Sequence, residues 1–178
     1  MPDVVLKAEH VTKRFGGITA LEDAQLELYK GEVHALVGAN GAGKSTLIKI
    51  ITGAYSSDEG DIYLDGQKVD IKSTFDARAK GISAVYQEFS LINTVSVAEN
   101  IYMGKLLYNN LGPIPRADWK RMNEETQKIL NSLGVKNIKP ETIVGRLSVA
   151  QKQMVEIAKA LSNDLKVLIM DEPTASLS

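Results

Sequence analysis

Cysteine is absent from all 178 residues. No disulfide can staple this chain, and no thiolate can hold a metal. Long apolar runs are missing too, and none approaches the roughly 20 residues of a membrane-spanning helix. The opening Met1, Pro2, Asp3 and Val4 has neither the basic nor the apolar stretch of a secretory leader. Neither charge sign is in excess: 21 Lys and Arg face 22 Asp and Glu, for a net charge of −1. That balance gives no bulk attraction to nucleic acid or anionic lipid. Histidine is scarce. The two present, His10 and His34, fall in stretches that read as N-terminal strands, where structural roles are expected. Repeats and low-complexity tracts are also lacking. What remains is an ordinary globular composition, 44% hydrophobic and 24% charged, long enough for one domain with a real core. The expected location is the cytoplasm, with any membrane association made through a partner.

Periodicity and turn chemistry place the elements. Residues 4–9 and 24–29 alternate as strands, with a turn at Lys30 and Gly31. Residues 32–37 (Glu-Val-His-Ala-Leu-Val) read as a short buried strand. Residues 61–69 predict a hairpin turning at Asp65 and Gly66. Ser73 with Asp76, and Ser96 with Glu99, have capping-box spacing at the starts of short helices. Residues 82–85 form a short β-branched run. Residues 104–116 read as loop, with Asn109, Asn110, Gly112, Pro113 and Pro115. Residues 117–133 predict an amphipathic helix whose apolar set is Trp119, Met122, Ile129, Leu130 and Leu133.

The stretch Gly38, Ala39, Asn40, Gly41, Ala42, Gly43, Lys44, Ser45 fits G-x-x-x-x-G-K-[ST], between an expected strand and an expected helix. In such a P-loop, successive backbone N–H groups turn inward toward phosphate oxygens. The glycines permit backbone angles and close approach that a Cβ would block, and the helix directs its positive end at the anion. Lys44 is placed to reach the β- and γ-phosphates of a nucleoside triphosphate. The Ser45 hydroxyl is a Mg²⁺ ligand, and Thr46 adds a phosphate contact.

A second chemical element ends an apolar run. Residues 165–170 read as a buried strand, followed directly by Asp171 and Glu172. Beside a P-loop, Asp171 can hold Mg²⁺ through water and Glu172 can polarise an attacking water; alone, such a pair is often a solvated turn. A third element is Leu147, Ser148, Val149, Ala150, Gln151, which opens a helix running to residue 161. Ser148 and Gln151 have capping-box spacing, which alone explains the serine. A helix N-terminus is also a phosphate site, and a second one in a chain that already has a P-loop suggests a site completed by another subunit.

Together these motifs resemble the nucleotide-binding domain of ATP-binding cassette (ABC) transporters, over essentially the whole chain. Residues 38–45 match the Walker A loop, residues 147–151 the signature, and the strand ending at Asp171 and Glu172 the Walker B. Gln87 falls at the Q-loop glutamine. More narrowly, residues 85–88, 98–101, 155–161 and 170–178 are similar to the N-terminal cassette of the tandem ATPases of bacterial sugar importers. The resemblance implies an α/β fold with a P-loop, RecA-like, mostly parallel core sheet, an N-terminal antiparallel β subdomain and an α-helical subdomain. It assigns residues 1–35 and 61–72 to the β region, 36–60, 81–87 and 163–178 to the core, and 88–162 to the helical part. It implies ATP and Mg²⁺ as ligands, with Ser45, Gln87 and Asp171 at the metal and Glu172 and Gln87 in catalysis. It offers Phe15 as the aromatic surface for adenine, with a core role nearly as well supported. Two cassettes would close head-to-tail around two ATP molecules, with Ser148 against the partner's γ-phosphate. The implied partners are that second cassette, transmembrane permease subunits at the inner face of the membrane and, indirectly, a solute-binding protein. Nucleic acid is not among them.

The chain also departs from the family pattern. Ala150 stands where the signature usually has glycine, and Ser178 where the D-loop usually has aspartate. The family's switch histidine is expected roughly thirty residues beyond Glu172, past the last residue. The strands expected after Walker B, and the second cassette, also lie beyond it. The resemblance therefore reads as a partial cassette, with an unpaired apolar edge near residues 167–170, low stability and poor turnover. The function this implies is ATP hydrolysis that energises an importer of a monosaccharide or related small solute. A soluble ABC ATPase of translation or DNA repair stays open, although the repair type carries a much longer insertion in this region. A nucleotide binder without turnover is the third class.

Overall fold

The computed structural model describes residues 3–86, 88–109 and 115–171. In chain order, β1 is Val4–Phe15, β2 Ile18–Tyr29, α1 Lys44–Ile51, β3 Glu59–Leu64, β4 Gln67–Val69, α2 Thr74–Ala79 and β5 Ile82–Val85. Then follow α3 Val97–Tyr102, β6 Tyr108–Asn109, β7 Arg116–Ala117, α4 Trp119–Ser132, a 3-10 turn Val144–Arg146, α5 Val149–Leu161 and β8 Val167–Met170. Two compact units emerge: Met1–Ser83 with Leu165–Ile169, and Ala84–Asp164 with Met170–Ser178.

The first unit carries a four-stranded antiparallel sheet in the order β2-β1-β3-β4. Gly16 (φ 52) and Gly17 (φ 87) turn β1 into β2. That turn is not among those predicted above, although Gly-Gly between strands is a hairpin signal. Asp65 (φ 49) and Gly66 (φ 75) make the predicted second hairpin, with the left-handed pair that a two-residue hairpin loop requires.

Simple alternation would put Leu6, Ala8 and His10 on one face. Instead, the register of β1 shifts between Ala8 and Val11 against β2, and between Glu9 and Thr12 against β3. His10 (φ 53) and Asp23 (φ 48) take left-handed backbone conformations at this bulge. Val11 therefore turns inward, fully buried, and His10 turns outward, its Nδ1 2.5 Å from Asp23 Oδ1. The bulge needs a glycine opposite. Gly60 (φ 84) lies so close that an added Cβ would overlap the His10 and Glu9 carbonyl oxygens.

Helix α1 buries Leu47, Ile50 and Ile51 in a cluster with Leu6, Val11 and Ile62 from the sheet. Each such side chain contributes about 2 kcal/mol of burial. Ser73 caps α2 by accepting from the Asp76 amide at 3.1 Å, but only half of the expected box forms. The Asp76 carboxylate accepts from the Lys72 amide and pairs with Lys80 instead.

Strands β5 and β8 form a two-stranded sheet. The Gly81 carbonyl accepts from the Lys166 and Val167 amides, and the Val85 carbonyl from the Asp171 amide at 3.0 Å. The partners climb together along both strands, so the pair is parallel. Among the described residues this pair is all of the mostly parallel sheet that the sequence implied. Residues 32–37, expected as a buried strand, form none, and Val33 and Val37 stand almost fully exposed. No described strand pairs with them, and a segment without a ladder neighbour has no sheet to be buried in. His34 accordingly sits outside any strand. Residues 165–170 also differ from expectation. Only Val167 is buried and Met170 is exposed, because β8 has one neighbour among the described residues, β5.

The second unit packs α3, α4 and α5 around Val97, Ile101, Met122, Leu130 and Val155, all essentially without exposure. Met122 and Leu130 face this core as predicted, and Ile129 and Leu133 pack at its margin, but Trp119 is 46% exposed on the first turn of α4. Helix α3 carries a complete capping box. The Ser96 hydroxyl accepts from the Glu99 amide at 3.2 Å, and the Glu99 carboxylate accepts from the Ser96 amide at 2.7 Å. In place of an unbroken loop over 104–116, β6 pairs antiparallel with β7, Tyr108 opposite Ala117 and Asn109 opposite Arg116, and α4 starts at Trp119.

Two outcomes follow. Gly60→Ala should destabilise the first unit by about 3 kcal/mol, combining left-handed strain with backbone overlap, and a urea titration would read this as a lower midpoint. Ser96→Ala should cost about 1 kcal/mol. The Ser96 hydroxyl and amide hold the Glu99 carboxyl below its ordinary 4.5. A depressed folded value means the stabilisation is complete above the unfolded value and is lost as pH falls through the folded one. Thermal melts between pH 7 and pH 3 should therefore show a shallower acid loss for Ser96→Ala than for the unsubstituted chain.

Candidate functional site

Residues 38–43 approach α1 as an exposed loop, and the helix starts at Lys44 with Gly43 as its N-cap. Gly41 (φ 80) and Gly43 (φ 85) are both left-handed. Gly43 is required twice over, since a Cβ there would meet Leu21 Cδ1 at 2.7 Å and the Ala20 carbonyl oxygen at 2.9 Å. Gly41 has open space around it, so its requirement is conformational alone. Gly38 differs from expectation. Its φ is not left-handed, and a Cβ would find Ala42 Cβ at an ordinary 3.4 Å.

No side-chain hydrogen bond caps α1. A helix start leaves its first amides without internal partners, so those donors and the positive end of the helix face outward at the loop. The Lys44 ammonium folds back over the loop and donates to the Gly38 carbonyl at 2.6 Å and the Ala39 carbonyl at 2.9 Å. Ser45 is exposed and Thr46 half-buried on the first turn; Ala39, Asn40 and Ala42 are exposed in the loop. This arrangement presents amide donors and an ammonium to an anion.

Phe15 ends β1, 41% exposed. Its ring meets Tyr55 edge-on, with centroids 5.2 Å apart and planes at 69°. Lys13 Nζ lies 5.4 Å from the Phe15 centroid, and Lys49 Nζ 5.2 Å from that of Tyr55. Lys13 is fixed by Asp58 at 2.8 Å. The same ammonium, followed by the Arg14 amide, holds the Asp58 carboxyl below its ordinary range. Phe15 is therefore a supported surface ring and not a core residue. Tyr55 had no local signal in the sequence, being forty positions from the ring it touches.

Asp171 is half-buried at the end of β8, its amide bonded to the Val85 carbonyl. Ser148 caps α5 through the full box: its hydroxyl accepts from the Gln151 amide at 3.3 Å, and Gln151 Oε1 accepts from the Ser148 amide at 2.9 Å. Leu147 is half-buried, and Val149 and Ala150 are exposed at the same helix end. The structure thus gathers the loop and Phe15 in one unit, and Ser148 and Asp171 in the other. Gln87 and Glu172 lie outside the described residues. Among the described residues, no group of three or more His, Cys, Asp or Glu is placed to hold a metal, and no helix is long and apolar enough to cross a membrane.

Known proteins resemble this chain in sequence and in fold. The ABC transporter family model matches residues 21–175. The chain is 49% identical over 174 residues to a ribose import ATP-binding protein of Rubrobacter xylanophilus, covering 98% of this chain and 34% of that one. It is 48% identical, with the same coverage, to the ribose import ATP-binding protein of Hahella chejuensis. It thus spans about a third of the length of the curated relatives it matches. Among solved structures, a nucleotide-free ATP-binding cassette from an ABC transporter superposes with a TM-score of 0.80 at 31% identity, covering 97% of this chain and 70% of that one. The fold is that of such cassettes, with an antiparallel β part and mixed α/β structure, and the chain belongs to the ABC transporter family.

Proposed function

We propose that this chain is the nucleotide-binding part of an importer ATPase, hydrolysing ATP to drive uptake of a monosaccharide or related small solute. The observation that carries this reading is the uncapped start of α1 behind a left-handed Gly41–Gly43 turn, with Lys44 poised over the loop. The likeness to ribose import ATP-binding proteins supports the solute class.

In this reading the amides of residues 38–46 bind the phosphates. Lys44 exchanges its bonds to the Gly38 and Ala39 carbonyls for the β- and γ-phosphates. Phe15 offers its exposed face to adenine. Glu172 accepts a proton from the water that attacks the γ-phosphorus as the bond to the ADP oxygen breaks. Ser45, Asp171 and Gln87 are hard oxygen donors of the kind Mg²⁺ takes, and the metal would neutralise phosphate charge. Residues 147–151 meet the ATP of a second cassette, and the helical region 88–162 faces the permease. The remaining division places residues 1–35 and 61–72 in the β region and 36–60, 81–87 and 163–178 in the core. The protein sits at the inner membrane face through its permease, which a solute-binding protein feeds.

Lys44→Ala should weaken ATP binding about a hundredfold or more, since it removes the ammonium from a triphosphate site. Glu172→Gln should bind ATP like the parent but lose hydrolysis about a hundredfold or more. Equilibrium binding and phosphate release on the full-length protein would check both, and full turnover by Glu172→Gln would remove Glu172 from its role. Gly43→Ala should lower both binding and thermal stability, because its methyl meets β2, whereas Gly38→Ala should fold normally.

A further inference from the structure

Glu156 is a buried carboxylate, 7% exposed, that nucleotide chemistry does not use. It sits mid-way along α5, where Val155, Ala158 and Ala160 show that small apolar side chains suffice for packing. A buried carboxylate is costly unless its oxygens are satisfied. Here they accept from the amide of Ser90 and, at 3.2 Å, from its hydroxyl. Lys159, one turn on, donates to the same hydroxyl at 3.1 Å. Lys152, one turn earlier, donates to the Asn93 side chain at 2.9 Å. The Asn93 carbonyl in turn accepts from the Gly145 amide at 2.8 Å, just ahead of Ser148.

One stripe of α5 thus grips a segment with no helix or strand of its own. Ser90 is held by Glu156 and Lys159, and Asn93 by Lys152. Asn100 of α3 takes both backbone groups of Ile92. This segment starts three residues after Gln87, and α5 begins at Ser148. At 1.5 Å per residue, Glu156 stands about 12 Å along the helix from Ser148. A rigid helix therefore joins the segment to the signature end.

We infer that Glu156 is a positioning residue: through Ser90 it ties the segment after Gln87 to α5, so that the permease-facing segment and the signature serine move as one body. A buried polar link of this kind fixes one arrangement where apolar packing would permit several. The inference rests on the importer reading above and adds to it a residue that touches neither nucleotide nor solute.

The test compares Glu156→Ala and Glu156→Gln with the parent in the full-length protein, alone and assembled with its membrane partner in lipid vesicles. Glutamine keeps an acceptor for the Ser90 amide and gains a donor for its hydroxyl. With Glu156→Ala, basal ATP hydrolysis and ATP affinity should stay within about twofold, while exchange of the Ser90 amide rises about tenfold. Stimulation of hydrolysis by the membrane partner should fall about tenfold, and Glu156→Gln should restore most of it. Partner stimulation equal to the parent's in Glu156→Ala would overturn the inference. So would a parallel loss of basal rate, stimulation and melting temperature in both variants, which would mark a purely structural residue. If the parent itself shows no partner stimulation, the importer reading fails, visibly in the unsubstituted protein, and the inference falls with it.

Discussion

Gly43 rests on β2 without room for a methyl group, and that contact sets where α1 begins. Its left-handed backbone ends the loop and starts the helix in one residue. The far end of the same helix is fixed by Leu47, Ile50 and Ile51 in the sheet-facing core. With both ends held, the first amides of α1 cannot turn away from the loop. The phosphate-facing geometry is thus a consequence of packing between a glycine and a strand more than twenty residues earlier in sequence. The antiparallel sheet is a support for that contact, and its own bulge at His10 and Asp23 keeps Val11 inside and polar groups outside.

The second unit solves a different problem. Its long irregular stretches have few ladder bonds, so side chains do the fixing. Ser96 with Glu99 and Ser148 with Gln151 close two helix starts reciprocally. Glu156 and Asn100 then hold the backbone of Ser90 and Ile92, and Lys159 and Lys152 the side chains of Ser90 and Asn93. Polar clamps of this kind are directional, so they fix one arrangement where apolar packing would permit several.

Much of this was legible in the sequence wherever the deciding residues lie within four positions of each other. The capping serines, the Asp65–Gly66 hairpin and the Gly-rich loop before α1 are all local, because cap and turn hydrogen bonds span that distance. The half box at Ser73 shows the limit. Spacing called for reciprocity, but Lys72 and Lys80 drew the Asp76 carboxylate elsewhere. Apolar content alone was a poorer guide. Residues 32–37 read as a buried strand, but burial of a strand is a property of its neighbours and not of its own residues.

By itself the sequence determined the chemistry available: an anion-binding loop, an acidic strand end, two strong helix starts, and no thiol. Only the tertiary structure decided that His10 faces solvent, that Gly43 and not Gly38 is sterically required, that Phe15 leans on Tyr55, and that Glu156 holds Ser90. The physical reason is common to all four. Each depends on atoms brought together from 13 to 66 positions apart, and nothing in the local periodicity of either partner encodes the other.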